Sequence, residues 1–96
     1  MRREKVISIL KRHKAELAKK YGVTKLGIFG SMARNEAVES SDVDVVVEMK
    51  VPDLFTMVDL KNNLELILET KVDIVRYWNR MNRYLKKRID DEARYV

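Results

Sequence analysis

Asp42 and Asp44, two aspartates with one residue between them, stand at the mouth of the apolar run Val45-Val46-Val47. Alternate side chains of an extended segment share a face, which puts these carboxylates about 7 Å apart on one side. Two ionised groups so close on a buried element repel each other and lose hydration, so a positive charge belongs between them. A divalent cation is the simplest source, and Mg2+ is commonly held by one or two carboxylates together with substrate phosphates. Ligand hardness and availability favour it over Mn2+. Phosphate is therefore the expected companion, and Gly30-Ser31 offers a place for it. A glycine directly after the apolar run Leu26-Gly27-Ile28-Phe29 lets backbone approach a ligand closely, and a helix beginning there would aim free N–H groups at an anion. Taken singly, Gly-Ser is an ordinary loop dipeptide and Ser40-Ser41-Asp42 an ordinary turn.

The combination is more specific than its halves. Gly-Ser, ten intervening residues and then Asp-x-Asp resembles the signature of the nucleotidyltransferase superfamily that includes the polymerase-beta-like enzymes. The local wording, Gly30-Ser31-x-Ala33-Arg34 followed by Ser41-Asp42-x-Asp44, resembles the minimal nucleotidyltransferases that serve as antitoxins to HEPN-domain toxins. That likeness runs from Tyr21-Gly22-Val23 to Arg94-Tyr95-Val96. Asn35 stands where many relatives carry glycine, and asparagine accommodates left-handed backbone angles.

The resemblance implies a nucleotidyltransferase palm that transfers AMP from ATP to a hydroxyl with release of pyrophosphate. Asp42 and Asp44 would bridge two Mg2+ ions about 3.5 to 4 Å apart. Asp73 matches the acidic position that completes the carboxylate triad, on the side of the nucleophile. Gly30 and Ser31 would hold the beta and gamma phosphates. Arg34 either adds charge at the leaving pyrophosphate or fixes the short helix to Glu36 or Glu39. The implied acceptor is a tyrosine of a partner HEPN-domain toxin, silenced by AMPylation. A binding-only antitoxin and a small-molecule adenylyltransferase are the competing readings; the latter would want a second domain to hold its acceptor.

Composition excludes other chemistries. The 96 residues make one domain, residues 1–96, and a chain of this size buries only about 60 to 65% of its unfolded surface. Cysteine is absent and His13 is the single histidine, which removes thiolate nucleophiles, Cys-based zinc sites and multi-histidine metal sites. No run approaches the roughly 20 apolar residues of a membrane span, and the basic N-terminus lacks an apolar signal core, so a cytoplasmic protein is expected. Twenty Lys and Arg against 15 Asp and Glu give a net charge of +5, which favours polyanions or an acidic partner. Direct nucleic-acid binding is not expected, because no aromatic residues interleave with the basic face of the N-terminal segment. Self-association, or assembly with the toxin, stays open.

Hydrophobic spacing supplies the elements. Val6, Ile9, Leu10, His13, Leu17 and Tyr21 predict a helix over 3–20 stopped by Gly22, with His13 a packed residue rather than a catalytic one. Leu26–Phe29 and Val45–Val47 read as strands buried on both faces, and 31–36 as a short helix between them. Leu54, Met57, Val58, Lys61, Leu64, Ile67 and Leu68 predict a helix of about 17 residues after Pro52-Asp53, long enough for a crossover to a third strand at Lys71–Val75. A final helix follows from Asn79, its pattern marked by Met81, Tyr84, Leu85, Arg88 and Ile89. Six bases between Arg76 and Arg88 form a basic cluster, with Tyr77 and Trp78 read as packing residues. The fold class is α/β (α+β): a small mixed sheet of at least three strands packed with helices.

Overall fold

The computed structural model describes residues 1–38 and 40–96. Helix α1 spans Arg3–Tyr21 and ends at Gly22, whose φ of 71° is the left-handed cap foreseen for it. Val6, Leu10 and Leu17 are buried, while the His13 ring meets the Ile9 carbonyl at 2.9 Å in a packed, structural role. Strand β1 (Val23–Phe29) leads into the one-turn helix α2 (Gly30–Ala33), and strand β2 (Val43–Met49) returns antiparallel to β1. Helix α3 (Leu54–Leu68) crosses over to strand β3 (Val72–Arg76), which lies parallel to β2. Helix α4 (Arg83–Glu92) and the short strand β4 (Arg94–Tyr95) complete the described elements. The strand order is β3-β2-β1-β4, a four-stranded mixed sheet.

The sheet is covered on both faces, and alternation along β2 sorts its residues between them. Val43, Val45 and Val47 join the core formed with α1 and α3, whereas Val46 packs with Phe29, Met81 and Ile89 beneath α4. Asp44, two residues from Val46, therefore projects to the α4 side. Phe29 and Asp73 are its direct partners on the two neighbouring strands, so all three side chains leave the sheet on that side.

Several expectations need correction. The short helix ends at Ala33 rather than Glu36, because Asn35 takes a φ of 61° and turns the chain out. Helix α4 starts at Arg83, not at Asn79; Asn82 is the cap, its side-chain oxygen accepting from the Leu85 amide at 3.1 Å. Tyr84 faces solvent. On α3 the core stripe runs through Leu60, Leu64 and Leu68, while Leu54 and Val58 are exposed. Strand β4 was not foreseen. It lies against Gly27, where a side chain would strike the Arg94 carbonyl, so glycine is what lets the strand approach.

Candidate active site

The geometry is centred on Asp44, which is half-buried and has neighbours on three sides. Asp73 is its register partner on β3, and Asp42 lies one residue before β2. Both are exposed, so Asp44 is the inner member of the three and the other two face outward. Burial pushes the Asp44 carboxyl above its ordinary pKa, repulsion from Asp73 adds to this, and Asp42 contributes in the same direction. Arg88 and Arg34 pull it back down. A carboxylate crowded by two others and short of solvent is one that a cation would relieve.

The turn after β1 presses on this group from the other side. Gly30 has a φ of 70°, and a Cβ placed on it would fall on the Asp44 carboxylate. Two requirements thus meet at one residue, the left-handed backbone and the absent side chain. Ser31 follows, half-buried, in the first turn of α2. Arg34 closes the turn with its guanidinium exposed: Nε donates to Glu36 at 2.9 Å, and Nη1 donates to the two carboxylate oxygens of Glu92 at 3.0 and 2.9 Å. Of the two partners foreseen for Arg34, Glu36 is engaged and Glu39 lies outside the described residues.

Glu92 is the residue that sequence reasoning missed. Its spacing of four from Arg88 on one helix was visible, but its main partners are 58 and 62 residues away in the chain. The basic cluster, by contrast, disperses. Arg76 stacks over Trp78 at 4.9 Å, Lys86 lies 5.8 Å from the Tyr77 ring, Lys87 pairs with Asp91 at 3.3 Å, and the exposed Arg88 lies 6.0 Å from the Phe29 ring. Of Arg76, Arg80, Arg83 and Lys87 within that cluster, Arg83 and Lys87 lie on α4, whereas Arg76 ends β3 and Arg80 precedes the helix.

Among the described residues, no three His, Cys, Asp or Glu side chains gather closely enough to form a ready-made metal cage. Asp44 with its neighbours Asp73 and Asp42 offers hard oxygen donors of the kind a divalent cation uses when phosphates supply its remaining ligands.

Comparison with known proteins places the chain among nucleotidyltransferases. The model of the nucleotidyltransferase domain family matches residues 10–96. A protein of Thermococcus cleftensis named protein adenylyltransferase MntA is 44% identical over 73 residues, which is 75% of this chain and 74% of the relative. A Methanocaldococcus jannaschii protein that also carries a protein adenylyltransferase name is 42% identical over 89 residues, 92% of this chain and 91% of its own length. Among solved structures, a minimal nucleotidyltransferase superposes with a TM-score of 0.78 at 31% identity, covering 100% of this chain and 97% of that one. A toxin–antitoxin structure with AMP-PNP shares the fold at a TM-score of 0.73 and 18% identity, over 88% of this chain and 70% of that one. An antitoxin solved with a tri-AMPylated HEPN toxin of Shewanella oneidensis does so at 0.66 and 16%, over 92% and 69%.

Proposed function

The chain belongs to the nucleotidyltransferase domain family, and from that premise we propose that it transfers AMP from ATP to a hydroxyl of a partner HEPN-domain toxin, tyrosine being the expected acceptor, and acts as the antitoxin. The observation that carries the reading is the register of β2 against β3, which sets Asp44 beside Asp73 at the foot of the Gly30 turn. The relative named protein adenylyltransferase MntA supports the reaction class. The solved complexes with a nucleotide analogue and with an AMPylated toxin support donor and acceptor.

In the proposed step the acceptor oxygen bonds to the alpha phosphorus as the bond from that phosphorus to the pyrophosphate oxygen breaks. The hydroxyl proton passes to Asp73, which is exposed where its register partner Asp44 is half-buried. Asp42 and Asp44, with Asp73, would hold two Mg2+ ions, whose chemistry would be to supply positive charge to the oxygens of an in-line displacement. Ser31 and the amides that follow Gly30 hold the beta and gamma phosphates and so keep the alpha phosphorus aligned. Arg34 offsets charge on the departing pyrophosphate. The setting is cytoplasmic, where ATP and the partner are both available.

The test is transfer of label from alpha-labelled ATP with Mg2+ into a lysate of the source cells, with wild type and with Asp42→Asn/Asp44→Asn. A labelled protein band is expected with wild type, and its loss by about a thousandfold in the variant, roughly 4 kcal/mol of barrier. If wild type labels no protein while the variant neutralises the partner as well as wild type does, neutralisation is by binding alone and the catalytic reading falls. Label in free small molecules without a protein band would assign a different acceptor.

A further inference from the structure

A single carboxylate ties together both ends of the turn that follows β1. Glu92 stands at the end of α4, and its Oε2 accepts the Gly30 N–H at 3.2 Å across 62 residues of sequence. The same carboxylate takes Nη1 of Arg34 at 2.9 and 3.0 Å, and Nη2 of Arg88 lies 4.0 Å from it. Its side chain is 21% exposed, well sheltered for a glutamate. Arg34 and Arg88 against Glu36 and Glu92 sum to zero charge, so the cluster does not turn a bare carboxylate toward an incoming anion.

Such a tie is needed here. Helix α2 has four residues, too few to be stable by itself, and it begins on a glycine with little intrinsic preference for one backbone state. The first amides of any helix lack partners within it. Glu92 takes the first of these, at Gly30, which fixes the plane of that peptide and hence the direction of the Ser31 and Met32 amides that follow. It also holds the guanidinium that closes the turn.

We propose that Glu92 is a positioning residue for the beta and gamma phosphates of the nucleotide, acting through the Gly30 amide and Arg34 without touching the nucleoside monophosphate that is transferred. This rests on the nucleotidyl-transfer reading, because it assigns the Gly30–Arg34 turn to the triphosphate.

The experiment compares binding of AMP-PNP and of AMP, each with Mg2+, to wild type, Glu92→Ala, Glu92→Gln, Arg34→Ala and the Arg34→Ala/Glu92→Ala double variant by titration calorimetry. Glu92→Ala is expected to weaken AMP-PNP binding about tenfold and leave AMP binding unchanged. The double variant should bind AMP-PNP no more weakly than the weaker single variant does. Glu92→Gln retains an acceptor for the Gly30 amide and loses the charge opposite Arg34, so a smaller, triphosphate-selective loss is expected; it also serves if the alanine variant does not fold. Equal loss for both ligands would mark Glu92 as merely structural and overturn the inference, as would no loss for either, and both results leave the proposed transfer standing. If wild type binds neither ligand, the nucleotidyl-transfer reading and this inference fall together.

Discussion

Asp44 carries a conflict that the apo protein does not resolve. Burial and the carboxylates of Asp73 and Asp42 raise its pKa above the ordinary value, so the folded chain holds that proton more tightly than the unfolded chain does. Ionisation therefore costs stability. The cost is absent below the ordinary carboxylate pKa of about 4 and fully present above the raised folded value. Asp44→Asn is expected to raise the melting temperature of the metal-free protein at pH 7 by on the order of a few degrees. The gap from wild type should close as pH falls through about 4, and melting curves at several pH values in chelator measure it. The same variant should abolish AMP transfer, so that stability and activity move in opposite directions at one residue. This is the trade expected where a site concentrates like charge for function.

At the scale of elements, what could be read from sequence divides along a physical line. Central strands buried on both faces announce themselves as unbroken apolar runs, so β1 and β2 were foreseen together with the carboxylates that punctuate β2. Glycine ended α1 and loop chemistry marked the Gly30 turn. Helix α3 was recognised by period, yet its stripe was placed with Leu54 and Val58, and Leu60 was passed over. An amphipathic pattern with apolar residues on more than one side does not by itself say which side is buried. Leu60 is fully buried and Leu54 is 74% exposed, so Leu60→Ala should cost about 2 to 5 kcal/mol and Leu54→Ala within about 0.5 kcal/mol, compared by chemical denaturation. Strand β4 escaped because two residues have no period, and its place depends on the missing side chain of Gly27 across the ladder. Glu92 escaped for a kindred reason: a contact made across 62 residues has no local signature.

Across the whole molecule, the last fourteen residues bind the rest together. Tyr77 donates to Asp90 at 2.6 Å, a bond that pushes the phenol pKa up to about 12, Glu92 reaches the Gly30 turn, and the Val96 amide donates to the Leu26 carbonyl at 2.8 Å. Helix α4 thus touches α2, β1 and the segment that follows β3, and the surface it presents combines paired bases with the exposed Tyr84. The parallel register of Asp44 with Asp73 has a kinetic consequence. The two strands are joined through α3, and a parallel pair linked by a long crossover gains its contacts only after the loop has closed. Repulsion between these carboxylates is thus absent while the chain searches and arises only when β3 docks against β2. Asp73→Asn should slow unfolding and leave the refolding arm of the chevron nearly unchanged in stopped-flow measurements. The proposed site then acts as a built-in spring that shortens the lifetime of the native state, and on the proposed reading a cation held there with a nucleotide would lengthen that lifetime without hastening its formation.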